Sequence, residues 1–252
     1  MNHRFLDKAG WLRSSATSNA AQTRLFCLPH AGGSASMFRN WQPNLPATTE
    51  VIAVQLPGRE DRLSTPAIAD WQTLLDELMT HIAPLLDRPY MFYGHSLGAL
   101  IAYWSSLELQ DKGCALPAHL FLAACRAPFI APRQMTHHLT DSAFIEHLRA
   151  LSLTPQAILA DSELMGLLLP TLRADFRLAE TAPEHREIIS LACPMTILHG
   201  THDTEVPYSA IAAWQELCSY QATLVNYPGD HFFHLENTHD ILKLIGKTAY
   251  LM

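Results

Sequence analysis

Short apolar runs alternate with longer amphipathic ones along this chain, and no other feature restricts its fold so strongly. The short runs cover residues 24–28, 51–56, 90–93, 119–124, 195–199 and 222–227. Most lack polar–apolar alternation, the pattern of parallel strands covered on both faces. Helical stretches at 71–86, 97–110, 208–217 and 234–251 fall between or after them. In the first, Leu74, Leu75, Leu78, Ile82 and Leu85 share one face. Strand–helix alternation of this kind predicts an α/β domain with a mainly parallel central sheet flanked by helices.

The rhythm stops once, between about 126 and 191. That stretch reads as two or three helices and no strand. Residues 141–151 carry Phe144, Leu148 and Leu151 at helical spacing, and 162–179 carry Leu164, Leu168, Leu172 and Phe176 at steps of four, with a kink expected at Pro170. A helical insertion between two strands predicts a lid subdomain over about 127–191. Because the sheet's own helices cover its faces, the insertion is expected above the carboxyl tips of the strands.

Composition narrows the class. Hydrophobic residues are 48% of the 252 and charged residues only 16%, which excludes an intrinsically disordered chain. A net charge of −7 argues against a nucleic-acid surface. Apolar runs such as 120–125 are far too short to span a membrane. The five cysteines are an odd number with no C-x-x-C pair, so neither a disulfide framework nor a zinc ribbon is expected, and a cytoplasmic location is. Residues 1–23 hold no signal-peptide core and are expected to form a frayed or loosely docked arm ahead of a single domain, 24–252.

The sharpest motif is Gly94-His95-Ser96-Leu97-Gly98. It fits G-x-S-x-G, a tight strand-to-helix turn that lifts a serine hydroxyl to the top of a sheet. The pattern is common by chance. Its weight comes from the strand that runs into it (90–93) and the helix that leaves it. A nucleophilic serine needs a base, and the base an orienting acid, here in the order Ser, Asp/Glu, His. His231 follows the last strand in a Pro228-Gly229-Asp230 turn; His234, its rival, is expected to start the last helix and face elsewhere. Asp203 follows the penultimate strand and is preferred to Glu205 and Asp230. The loop one strand earlier, Cys125-Arg126-Ala127-Pro128, holds no carboxylate. An oxyanion needs two backbone donors. Leu97 is expected to supply one, and Ala31, in Pro29-His30-Ala31-Gly32-Gly33-Ser34, the other. No phosphate-binding glycine motif is present, and no cofactor is implied.

Five blocks in order resemble the type II thioesterases of polyketide and nonribosomal peptide synthesis: Leu28-Pro29-His30-Ala31-Gly32-Gly33-Ser34, Gln55-Leu56-Pro57-Gly58-Arg59-Glu60, Gly94-His95-Ser96-Leu97-Gly98-Ala99, Leu172-Arg173-Ala174-Asp175-Phe176 and Gly229-Asp230-His231-Phe232-Phe233. The resemblance runs from about Arg24 to the last helix and leaves out residues 1–23. It implies an α/β-hydrolase fold with Ser96, Asp203 and His231 as the triad. It also implies hydrolysis of acyl or aminoacyl thioesters on the phosphopantetheine arms of carrier proteins, with a lid over the acyl pocket and the carrier docked beside it. Leu97 stands where the family often has methionine, and Thr201 where a second glycine is often seen; neither bears on a backbone donor or on the acid. Arg59 and Arg126 lie in sheet-top loops where either could meet a pantetheine phosphate, although a structural or solvated arginine is the commoner outcome.

Three other readings compete. A carboxylesterase or lipase would carry the same triad. A non-catalytic partner-binding protein on a hydrolase scaffold would have been favoured by a missing triad member, and none is missing. A metallohydrolase is prompted by 14 histidines, but the pairs His199/His202 and His231/His234 lack a patterned third ligand, so no metal is expected. His137 and His138 read as solvent-facing lid residues. A monomer is expected.

Overall fold

The structure, a computed structural model, describes residues 4–5, 7–14, 21–151, 156–183, 187–220 and 222–251. Eight strands form one sheet: β1 (Arg4–Phe5), β2 (Leu12–Ser14), β3 (Thr23–Leu28), β4 (Thr49–Val54), β5 (Tyr90–His95), β6 (His119–Ala123), β7 (Met195–Gly200) and β8 (Thr223–Tyr227), in the order β1-β2-β4-β3-β5-β6-β7-β8. From β4 to β8 all neighbours are parallel. The order reverses between β3 and β5, because β4 lies on one side of β3 and β5 on the other. Such a reversal opens a crevice at the carboxyl ends of the strands.

Successive side chains of a strand point to opposite faces, and both faces here are apolar. Phe26, Ile52, Phe92, Leu122 and Ile197 join one buried layer with α1 (Trp71–Ile82) and α2 (Leu97–Asp111). Leu25, Val51, Tyr93, Phe121 and Leu198 join the other, under Phe38, Trp41 and the face of α7 (Thr238–Tyr250) that carries Ile241, Leu242 and Ile245. This double cover is why the strands read as continuous apolar runs. Helix α1 starts where the Asp70 carboxylate accepts the Thr73 N–H at 2.8 Å. It ends at Ile82, followed by a short 3-10 turn over Ala83–Leu85, since Pro84 has no N–H to continue the α-helical ladder. Helix α2 is buried on nearly every side, as expected of a helix that is apolar all round.

The expected loose arm is corrected in part. Residues 1–3, 6 and 15–20 lie outside the described residues, but 12–14 form β2, antiparallel to β4, and β1 adds to its outer edge. Trp11 and Leu12 are buried at 2% and 1% exposure. The Arg62 guanidinium lies 4.4 Å over the Trp11 ring, and Arg13 pairs with Glu60 at 3.2 Å and with Asp61. Without this segment β4 would present an open strand edge and an uncovered apolar flank.

The insertion forms three helices: α3 (Asp141–Ala150), α4 (Gln156–Leu159) and α5 (Ser162–Glu180), the last continuing through Pro170. Thr140 and Asp161 cap α3 and α5 through their side-chain oxygens. These helices share a small core of Phe144, Leu148, Leu159, Met165, Leu172 and Phe176. Leu164, expected in the stripe, is exposed, and Met165 is buried in its place. A row stepped by four drifts around a helix of 3.6 residues per turn, so a stripe that faces inward at Leu172 and Phe176 faces outward by Leu164.

Candidate active site

The serine turn is built by contact between backbones. A Cβ on Gly94 would sit 2.2 Å from the Gly98 carbonyl oxygen, and one on Gly98 would sit 2.1 Å from that of Leu28 in β3. Only glycine at both positions lets α2 leave β5 so steeply while packed on β3. Between them Ser96 takes φ 54°, ψ −115°, a conformation few non-glycine residues adopt. The strain lifts the side chain off the sheet into a cavity of about 370 Å³, which it shares with Ala31, Leu97, His231 and residues of the insertion.

His231 and Asp203 come from the two neighbouring sheet-top loops. A Cβ on Gly200 would lie 2.3 Å from the Asp230 carbonyl oxygen, so the acid loop and the histidine loop pack backbone to backbone. His231 Nδ1 lies 2.8 Å from Asp203 Oδ2. The other carboxylate oxygen, Oδ1, accepts the N–H groups of Glu205 at 2.8 Å and Val206 at 3.1 Å. The Asp203 side chain is fully buried, so these three donors hold its orientation with no water to compete. An Nδ1–H···Oδ2 bond leaves Nε2 of a neutral His231 as the ring atom able to accept a proton. The Glu205 side chain makes no such contact with His231.

Three further histidines surround His231. The ring of His95 is 5.7 Å from His231, and His234 is 4.2 Å from His95; the rings of His30 and His95 are 6.0 Å apart. Burial pushes His95 well below the usual imidazole range, with the neighbouring histidines acting in the same direction. Burial likewise takes His234 down to about 3 and lowers His30. All three are therefore neutral near pH 7. His95 Nε2 donates to the His231 carbonyl at 2.8 Å, which helps set that loop. His234 sits in the turn before α7 rather than at the start of a helix, and its ring is 4% exposed. Cys125 also borders the cavity, but burial pushes its thiol up to about 12, so it stays protonated and is no rival nucleophile.

Ala31 and Leu97 both face the cavity. The N–H of Leu97 opens α2 and has no intrahelical acceptor. In the loop after β3, the Gly32 N–H is held by Asp175 Oδ2 at 2.7 Å and the Gly33 N–H by the His30 carbonyl at 2.8 Å. Among the described residues no hydrogen bond takes the N–H of Ala31. Arg59 is not open to a substrate. It is 6% exposed and forms a bidentate pair with Asp175 at 2.7 and 2.8 Å. Arg126 borders the cavity and donates to the Ala179 carbonyl at 2.8 Å. His137, expected in solvent, instead contacts Glu180 at 2.6 Å. The insertion closes the top: His147 and Leu151 from its α3 end, and Phe176 and Ala179 from α5, border the same cavity as Ser96. Among the described residues no group of three or more His, Cys, Asp or Glu side chains converges as a metal site, and no helix is long and apolar enough to cross a membrane.

The whole chain compares closely with known proteins. Residues 23–248 match the Thioesterase domain family. Gramicidin S biosynthesis protein GrsT of Aneurinibacillus migulanus is 37% identical over 243 residues, 96% of this chain and 94% of that protein. Thioesterase PikA5 of Streptomyces venezuelae is 36% identical over 237 residues, 94% of this chain and 84% of that protein. Among solved structures, the type II thioesterase BorB from the borrelidin biosynthetic cluster superposes with a TM-score of 0.84 at 32% identity, covering 95% of this chain and 97% of that one. With a mostly parallel sheet, a strained serine at a strand–helix turn and this likeness along nearly its full length, the chain belongs to the thioesterase family and is an α/β hydrolase that cleaves thioesters.

Proposed function

We propose that Ser96, His231 and Asp203 are the catalytic triad of an editing thioesterase. Its substrates are acyl or aminoacyl groups carried as thioesters on the phosphopantetheine arms of carrier-protein domains in polyketide or nonribosomal peptide synthesis. The observation that carries the mechanism is the 2.8 Å His231–Asp203 contact at the rim of the cavity into which the strained Ser96 opens. The pathway assignment is supported by relatives named for gramicidin S and borrelidin biosynthesis.

His231 Nε2 takes the Ser96 hydroxyl proton as Oγ attacks the thioester carbonyl carbon. The carbonyl oxygen becomes an oxyanion, stabilised by the N–H groups of Ala31 and Leu97. The tetrahedral intermediate collapses, the C–S bond breaks, and His231 returns the proton to the departing thiolate. Water then attacks the acyl-enzyme carbonyl carbon as His231 accepts one of its protons; the C–O bond to Ser96 breaks, His231 returns the proton to Ser96 Oγ, and the carboxylic acid leaves. Asp203 keeps the proton on Nδ1 and stabilises the imidazolium.

Residues 24–252 act in this reading as one hydrolase domain, with 127–191 as a lid over the acyl group and the carrier docked beside it. The chain works as a cytoplasmic monomer. Mass spectrometry of carrier proteins loaded with different acyl groups, before and after exposure to the enzyme, tests the reading. The expected outcome is conversion to free phosphopantetheine carrier by the wild type and none by Ser96→Ala. Rapid cleavage of small oxygen esters with intact acyl-carriers would point instead to a carboxylesterase.

A further inference from the structure

We infer that Asp175 and Arg59 are positioning residues for the oxyanion hole, and that helix α5 thereby shapes the catalytic centre directly. The inference rests on Ala31 being an oxyanion donor, as proposed above. Asp175 is 1% exposed and Arg59 6%, and 116 residues separate them. Their two parallel hydrogen bonds, 2.7 and 2.8 Å, are the fork-to-fork pairing that gives geometric specificity as well as energy.

The pair grips the loop after β3 at two points. Asp175 Oδ2 also accepts the Gly32 N–H at 2.7 Å, and Arg59 Nη1 also donates to the Gly33 carbonyl at 3.0 Å. Gly32, held by this bond, is the residue that follows Ala31. Gly32 has φ +74° and would drive a Cβ to 2.7 Å from Leu172 of α5, so the loop and the helix fit without spare room. A fourth guanidinium N–H is taken as well: Arg59 Nε donates to the Pro57 carbonyl at 3.2 Å. By holding the Gly32 N–H, Asp175 fixes the Ala31–Gly32 peptide plane. Gly33, whose carbonyl Arg59 holds, donates its N–H to the His30 carbonyl at 2.8 Å, on the same peptide plane as the Ala31 N–H, so the pair sets the direction of that N–H from both sides. A donor stabilises the oxyanion only when it is aimed at the position the oxygen takes in the tetrahedral intermediate.

A purely structural role would lower stability alone, so the test separates stability from turnover. Asp175→Asn keeps the side-chain shape but removes the charge and one acceptor. Arg59→Lys keeps the charge but loses the fork. Thr171→Val serves as control: it removes the Thr171 hydroxyl's 2.8 Å bond to the Gly58 carbonyl, another α5 contact that leaves Gly32 untouched. With an acyl N-acetylcysteamine thioester as substrate, Asp175→Asn and Arg59→Lys should lower kcat on the order of 10–100-fold, less than the loss of a whole oxyanion donor. KM should move by no more than about threefold. Affinity for an alkylboronic acid, which bonds Ser96 Oγ to form a tetrahedral anion, should fall by a similar factor to kcat. Thr171→Val should keep kcat and boronate affinity even where its unfolding midpoint drops. Unchanged kcat and boronate affinity in both pair variants would overturn the inference, as would equal kcat losses in Thr171→Val. A serine-reactive fluorophosphonate identifies the labelled residue in the wild type. Labelling anywhere but Ser96 would bring down the triad reading and this inference with it; normal labelling with silent pair variants brings down only the inference.

Discussion

The top of the sheet and the helical insertion above it are built differently. Strands β3, β5 and β6 are covered on both faces, and Phe26, Phe92, Tyr93 and Phe121 are each 0% exposed. Among the described residues the insertion's own core has six buried apolar side chains, and its outer face leaves Leu164 and Leu167 exposed at 36% and 57%. Leu178 packs it into the sheet's core, and polar groups add to the hold: Asp175 grips the loop after β3, and the Thr171 hydroxyl donates to the Gly58 carbonyl at 2.8 Å. The difference separates two tasks. The serine, histidine and acid stand on elements whose rearrangement would open a large core, so their geometry is rigid. The insertion is a thinner layer fixed at a few points, where side chains that border the cavity can change without disturbing the serine turn beneath.

The comparison would break most visibly at the serine. Ser96→Ala should lower thioester turnover by roughly 10⁴ to 10⁶ while leaving the unfolding midpoint close to wild type, since the core on both faces is untouched. Substantial residual activity by stopped assay would move the nucleophile elsewhere. Asp203→Asn comes next, with a loss on the order of 10⁴ through the wrong His231 tautomer. Glu205→Gln, which keeps its backbone N–H on Asp203, should change the rate only slightly. Reversed effects would reassign the acid.

Acid stability sharpens the comparison from the sheet side. Burial lowers His119 to about 4 and His234 to about 3; His119 is the first residue of β6, and His234 packs on His95 of β5. An unfolded histidine titrates near 6.5. Between that value and the folded one, the unfolded chain binds the extra proton, so stability falls as pH drops from about 6.5 toward 4. Each such histidine contributes up to about 1.4 kcal/mol per pH unit. His119→Gln should flatten that slope in urea titrations from pH 7 to 4 and leave kcat at pH 7 unaltered; an unchanged slope would mean that His119 is not neutral in the fold. The smallest effect belongs to the insertion. Leu168→Trp adds bulk beside its thin core and should shift the ratio of kcat/KM between short and long acyl thioesters by roughly tenfold. A uniform loss across chain lengths would mean that this part of α5 is only structural.

Much of this was legible one residue at a time. The six parallel strands lie within two residues of the apolar runs, because burial on both faces writes itself into consecutive side chains. Ser96, Asp203 and His231 could be chosen from chain order alone, since each follows a particular strand and parallel strands place those loops side by side. Antiparallel β2 escaped notice because three residues are too few to show a period, although the adjacent Trp11 and Leu12 were a usable signal. His137 read as solvent-facing because its partner, Glu180, comes 43 positions later.

What the sequence determined by itself was therefore everything set by local pattern: the alternation of strands and helices, the glycines of the serine turn, the place of the insertion and the chain order of the candidate triad. What only the tertiary structure decided was pairing between residues far apart in the chain. Nothing near Arg59 or Asp175 marks them as partners, and an arginine in a sheet-top loop can also be read as a ligand for phosphate. Folding brings them together because a guanidinium and a carboxylate buried at 6% and 1% exposure are tolerated only when each satisfies the other, and that requirement belongs to the assembled interior rather than to any stretch of chain.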